Sequence, residues 1–429
     1  MNGQRKMMTM MRRRLGAATW GATLALVLAA GPVAAEVSLH GFVEGGYGVR
    51  TATDPQFDGV QDYTMQETRA QLRANAYGSG GEVFVRLDFV QDKLAEDQTG
   101  LELREGNFRF TAFNDYFEVK VGRQIMTWGT GDLVFINDLF ARDWVSFFIG
   151  REMQYLRAPS DVLRLGLYGL GVDADFVWTP VFTPDRTPTG ERLSFYSPLP
   201  EPVEPLRPTK SLGNGELALR LSRAFGNFAV ELYGYRGFNG QPTALMVIDP
   251  ETGEALPFYP ELSVYGASTR GGLFGGVLWL EGGYYDSRQD RDGTDPLIPN
   301  SEARYLVGFE RQLFTDFTAG LQYYGEYMLD HDTYLGTLPE EAPIRDELRH
   351  LLTLRLEKYL KYQTVRLSLF TYWSPSDEDG YTRAWAGYKV SDEVEVGAGA
   401  NVFFGNTATT FFGQFDKNDN VFARLRYSF

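Results

Sequence analysis

The stretch VFARLRYSF, Val421 to Phe429, decides the fold. Val421, Ala423, Leu425, Tyr427 and Phe429 are apolar, and Arg424, Arg426 and Ser428 between them are charged or polar. Only Phe422 breaks the alternation. A period of two belongs to an extended strand, whose successive side chains point to opposite faces. One face here is apolar and the other cationic. That suits a wall between lipid and water.

The pattern recurs along the chain. In GEVFVRLDFV, Val83, Val85, Leu87 and Phe89 share a face opposite Arg86 and Asp88. NGELALRLSRAF sets Leu217, Leu219 and Leu221 against Glu216, Arg220 and Ser222. In TDFTAGLQYYGEY, Phe317, Ala319, Leu321 and Tyr323 oppose Thr318, Gln322, Tyr324 and Glu326. EVEVGAGANVFF sets Val394, Val396, Ala398, Ala400, Val402 and Phe404 against Glu393, Glu395 and Asn401. Each run has about the ten residues that a tilted membrane strand needs.

Two kinds of connection alternate. The short ones are 78–81, 113–116, 168–171, 225–227, 269–272, 313–316, 360–362 and 390–393. The longer ones lie near 51–62, 92–99, 126–159, 180–212, 239–258, 286–300, 330–347, 375–379 and 405–419. Short turns at one end and long polar loops at the other predict an all-β fold, a single transmembrane antiparallel β-barrel over residues 36–429. Counting hairpins gives about eighteen strands, with sixteen the other even number in reach, and both termini at the short-turn, periplasmic side. In lipid every backbone group needs a partner, so the last strand has to close on the first. A terminal Phe after such a strand resembles the signal read by the barrel-assembly machinery. A soluble sandwich with an exposed apolar tail would leave the series of similar strands without a core pattern.

Residues 1–14 hold five basic residues and no acid, and the apolar run Leu15 to Gly31 precedes small residues at Val33 and Ala35. Residues 1–35 are therefore expected to be a cleaved signal peptide. Its removal shifts the formal charge from −15 to −20, because all five basic residues go with it. So acidic a chain does not fit nucleic acid. Cysteine is absent, so an exported form has no disulfides. The three histidines, His40, His331 and His350, carry no metal-ligand spacing, and DHD (330–332) reads as a solvated loop tip. No cofactor, metal site or catalytic residue is expected, and the protein is not expected to be an enzyme.

Two loops stand out. Residues 126–159 carry Trp128, Phe135, Phe140, Trp144, Phe147, Phe148 and Tyr155, too many aromatics to wave in water. Irregular backbone at membrane depth is tolerated where it lines a cavity. The loop is therefore expected to fold into the barrel as a constriction, with Trp128, Asp132, Asp138, Arg142, Asp143, Trp144 and Arg151 setting its selectivity. Residues 180–212 hold eight prolines and read as an exposed, variable extracellular loop.

Parity along the strands predicts a pore lining of Arg69, Arg73, Arg86, Arg109, Arg123, Arg164, Arg220 and Arg355. Unpaired, these would favour anions; neutralised by cross-strand acids such as Asp88, Glu118 and Glu357, each would only stiffen the wall.

Gly122, Arg123 and Gln124 followed by Trp128 and Gly129 (GRQ…WG) lie at a strand end. In a chain of this length and strand number, the motif resembles the alginate-export-type family of outer-membrane barrels and its porin-like relatives in Gram-negative bacteria. The resemblance implies an eighteen-stranded channel with a charged lumen that passes an anionic polymer or small solutes. It does not choose between them.

The expected function is an outer-membrane channel for polar or anionic solutes, or for an acidic polysaccharide. The alternative is a non-conducting barrel scaffold that holds a periplasmic or extracellular partner. Expected partners are outer-membrane lipid and lipopolysaccharide, the assembly machinery and the solute itself, with the protein a monomer or homotrimer.

Overall fold

The computed structural model describes residues 36–51, 62–95, 98–190, 192–197, 199, 203–249, 254–340 and 342–429. The expected signal peptide and most of loop 51–62 lie outside them. The strands of the first half are β1 (Glu36–Arg50), β2 (Tyr63–Gly78), β3 (Gly81–Asp92), β4 (Gly100–Ala112), β5 (Phe117–Gln124), β6 (Ser160–Leu167), β7 (Asp173–Thr179), β8 (Glu216–Phe225) and β9 (Phe228–Phe238). A separate hairpin, β10 (Ala244–Asp249) and β11 (Glu254–Phe258), rises from one long loop. The second half holds β12 (Glu261–Leu273), β13 (Gly276–Ser287), β14 (Glu302–Phe314), β15 (Phe317–Met328), β16 (Leu348–Leu360), β17 (Val365–Ser374), β18 (Asp379–Lys389), β19 (Val394–Gly405) and β20 (Asn420–Ser428). Apart from the β10–β11 hairpin, the strands form one closed, 18-stranded antiparallel barrel in which β9 pairs with β12 and β20 returns to β1.

The closing strand shows how the alternation is used. Val421, Leu425 and Tyr427 lie exposed on the outer wall, while Arg424 and Arg426 turn inward to the carboxylate of Glu44 on β1, at 3.7 and 2.7 Å. Phe429 exchanges two backbone hydrogen bonds of 2.9 Å with Gly41, so pairing runs to the last residue. Phe422 keeps the inward parity and is 3% exposed. Its ring stacks on Trp385 at 5.7 Å, and a Cβ on Gly150 would come within 2.5 Å of it. At that height the lumen holds protein, not water. Phe422 departs from the polar set for that reason.

Most short connections fall where the sequence places them, with one correction. Residues 269–272 are inside β12, and the turn is Phe274–Gly275, both residues at positive φ (51° and 71°). Two left-handed residues form the tight hairpin whose twist matches the strands. The glycines that suggested a turn serve packing instead, since a Cβ on Gly271 would meet the Phe228 ring at 2.5 Å.

Candidate pore constriction

After Gln124 the chain leaves the wall and returns only at Ser160. Between them it folds into the barrel. Asp143 caps a five-residue helix, Trp144–Phe148, by accepting from Ser146 N at 2.7 Å. Phe147 and Phe148 pack edge-on against Tyr381 of β18, with centroids 5.3 and 5.5 Å away. Phe148 also meets Phe403 of β19 and Phe415. The loop aromatics and the β17–β20 wall thus make one buried cluster that fills this side of the lumen.

Polar clasps tie the loop across the lumen. Glu281 of β13 accepts from the backbone amides of Thr130, Gly131 and Asn137 at 2.7, 2.9 and 2.8 Å. Gln322 of β15 both donates to and accepts from the Asp132 backbone, each at 2.8 Å. Arg355 of β16 grips the Asp132 carboxylate with two nitrogens. Tyr372 of β17 donates to Leu133 O at 2.7 Å. Arg383 of β18 donates to Phe147 O and Arg151 O at 2.9 and 2.6 Å, near the negative end of the short helix. On the near wall, Arg151 pairs with Glu67 at 2.6 Å and Asp92 at 3.2 Å.

Glu281, Gln322, Tyr372 and Arg383 were not foreseen from the sequence. For two of them a signal exists. Glu281 lies between the inward aromatics Trp279 and Tyr285, and Arg383 between Tyr381 and Trp385. A lone charge on an aromatic inward face has to meet a polar group brought to it.

Part of a second loop also enters the mouth: most of 203–212 is exposed, as expected, but the stretch before it docks inside. Arg192, Leu193 and Ser194 are buried. Arg192 pairs with Asp92, and Ser194 N donates to Asn418 Oδ1 at 2.9 Å. Asp185 accepts from Trp144 Nε1 and Arg142 N, both at 2.9 Å, and Arg186 pairs with Glu102 at 2.7 Å. Prolines exclude ladder pairing but not docking by side chains.

The two loops enclose space open to the long-loop side. One cavity of about 860 Å³ has Phe135, Asp138, Arg142 and Trp144 on one side and Tyr285, Arg304, Tyr324 and Arg349 on the other. A second, of about 1090 Å³, lies between the Pro-rich loop and the β3–β4 wall and includes Arg104 and Tyr155. Arg104 is the extra residue of a β-bulge where Arg86 faces Glu105 and Leu87 faces Leu103. The bulge turns Arg104 inward, and it donates to Arg157 O at 2.8 Å.

Within the first cavity, burial is the leading influence on Asp138. It pushes the carboxyl above its ordinary range, although Arg142 at 3.8 Å and the Thr127 hydroxyl at 3.0 Å oppose it.

The residues expected at the constriction divide. Asp138, Arg142 and Trp144 line the first cavity. Asp132 is paired with Arg355, and Trp128 lies edge-on to Phe140 at 5.1 Å. Asp143 and Arg151 are both buried, as a helix cap and a wall anchor. Both also border the second cavity.

The lumen arginines divide as well. Arg69 meets Asp88 at 2.7 Å, Arg86 meets Glu105 at 3.1 Å and Arg109 meets Glu118 at 2.6 Å. Arg164 and Arg220 share Asp175 at 2.6 and 2.5 Å. Arg73 faces inward and exposed, with no carboxylate partner among the described residues. Lys120 sits in register between Arg109 and Arg164, also without an ion pair among them.

Arg123 is not pore-lining. Glu118 and Gln124 are the buried, inward residues of β5, so Arg123 shares the outward parity of Val119 and Val121. It pairs at 3.5 Å with Asp161, which is exposed on the outer rim. The GRQ motif has a backbone reason: Gly122 has φ +119°, and a Cβ there would collide with Gly106 O.

A closed lipid-facing barrel with an inward-folded loop defines the porin-like outer-membrane β-barrel fold. Comparison with solved structures agrees. OccD3 (OpdP) of Pseudomonas aeruginosa superimposes with a TM-score of 0.53 at 12% identity, over 92% of this chain and 90% of that one. A loop L8 deletion mutant of OmpT, an outer membrane protein of Vibrio cholerae, gives 0.43 at 11% identity, over 92% of this chain and all of that one. A doubly substituted mutant of Rh. blastica porin gives 0.41 at 12%, over 92% and 100%. The last two scores are too low to argue from. No protein-family model and no curated protein matches the chain; what the solved structures show is the porin-like barrel fold, not the alginate-export family.

Proposed function

We propose that this protein is a channel in the outer membrane of a Gram-negative bacterium, passing small polar solutes through a lumen narrowed by residues 126–159. One observation carries the reading. The loop crosses the lumen and is fastened to the far wall by Glu281, Gln322, Tyr372 and Arg383, so solutes must pass beside it. The remaining inner wall is charged and wet, which a sealed scaffold does not require. Small solutes fit better than a polysaccharide, because part of loop 180–212 enters the mouth too. A scaffold enclosing a partner would need the space that the aromatic cluster fills.

Most lumen arginines are paired, so the channel is read as only weakly anion-preferring, through Arg73 and Lys120. The test is the planar-bilayer reversal potential under a salt gradient. Steady conductance leaning to anions, shifted toward cations by R73E and K120E, supports the reading. A silent wild type refutes it.

A further inference from the structure

The outer wall carries a site of its own where β9, β12 and β13 approach the long loops. Tyr265 and Tyr284 lie directly opposite each other there, 60% and 42% exposed. Paired aromatics on a barrel's outer face mark the headgroup level. One row further out, Arg236, Ser263 and Asp286 stand in register across the same three strands. Arg291 holds Asp286 with two hydrogen bonds of 2.7 and 2.9 Å, and Arg288 pairs with Glu261 at 3.0 Å.

Arg236 is different. Its neighbours Tyr235 and Gly237 face inward, so it points to the lipid side, and it is exposed. Its guanidinium has no hydrogen bond or ion pair among the described residues. Three guanidiniums stand against two carboxylates, and Arg236 is the one that makes no ion pair. Beside it toward the membrane is Gly234, opposite Tyr265, where a Cβ would meet nothing within 4 Å. The patch is thus a cation above an open notch, walled by an aromatic ring, at the lipid–water boundary.

We infer that this patch binds a phosphate of the outer-leaflet glycolipid, a phosphorylated and multiply acylated glucosamine disaccharide of the lipid A type. The Arg236 guanidinium takes the phosphate with two parallel N–H donors, which a lysine does not reproduce. The sugar occupies the notch at Gly234 against Tyr265, and the acyl chains run down past Leu232, itself exposed on the outer face. The inference rests on the outer-membrane reading but not on conduction.

Native mass spectrometry of the detergent-solubilised full barrel, titrated with bisphosphorylated lipid A, tests it. Wild type is expected to bind, R236A to bind about tenfold more weakly and R236K to recover only part of the loss. Lipid A stripped of its phosphates should bind wild type and R236A alike, and weakly. Equal affinity of wild type and R236A for the bisphosphorylated lipid would overturn the site. So would undiminished binding of the dephosphorylated lipid, or displacement of the lipid by equimolar inorganic phosphate. Heat-modified gel mobility confirms that each variant is folded. Conductance of the same preparations separates the two claims: a silent barrel that still shows the Arg236-dependent binding refutes the channel and leaves the lipid site standing.

Discussion

Asn137 donates twice to one oxygen of Glu281, from its backbone at 2.8 Å and its side-chain amide at 3.0 Å. The other oxygen takes Thr130 and Gly131. A buried carboxylate satisfied by backbone amides from across the lumen is a rigid fastening. Hydrogen bonds to a charged acceptor contribute about 1.5–3 kcal/mol each, and removing the acceptor leaves buried donors unpaired. E281A should therefore lower stability by about 3 kcal/mol or more. Chemical denaturation read by tryptophan fluorescence checks the loss. Single-channel records should show larger, noisier openings.

Asp132 and Arg355 form the next fastening, with both side chains about a quarter exposed. Water screens such a pair, so a double-mutant cycle of D132A and R355A should give a coupling of about 1 kcal/mol. R355A alone should also reduce anion preference, read from the reversal potential. A coupling indistinguishable from zero would mean that Gln322 and Glu281 hold the loop without it.

The barrel was legible because lipid enforces parity. Runs such as Val394–Phe404 show the same outward set in sequence and structure. The inward loop was legible because its aromatics needed cover. What escaped the sequence lies where parity and local chemistry part. Phe422 is inward because Gly150 and Trp385 meet it there, which is a tertiary fact. Arg123 follows its strand outward, and a guanidinium is tolerated there because it sits on the rim beside Asp161. The partners of the lumen arginines depend on register between strands, which no single strand displays. Arg192 was hidden by its prolines: the segment reads as exposed until Asp92 is placed beneath it.

Arg192 gives a third prediction. Truncating it in R192A removes one of two arginines on Asp92 and leaves Arg151 in place. The barrel should stay folded while the Pro-rich loop loosens. Hydrogen–deuterium exchange over 193–196 should rise at least about tenfold, with exchange in β2 and β3 unchanged. Unchanged exchange in the loop would show that Asn418 and Asp185 anchor it without Arg192.

Asp138 gives a pH dependence. Its carboxyl is raised chiefly by burial, so the folded state holds the proton more tightly than the unfolded chain. Stability is then greatest below the unfolded value and falls as pH rises through the window up to the folded one. D138N, which never ionises, avoids that loss. The midpoint of thermal unfolding of D138N relative to wild type should rise as pH increases above the ordinary carboxylate range of about 4. A constant difference, or one that shrinks, would mean that Arg142 and Thr127 compensate the buried charge fully.

The central claim is that residues 126–159 set the passage. It is tested most directly by single-channel conductance in a planar bilayer, for the full protein beside a variant lacking residues 130–155. Steady openings are expected from the full protein and a several-fold larger conductance from the variant. Equal conductance from both, or silence from both, would contradict the claim.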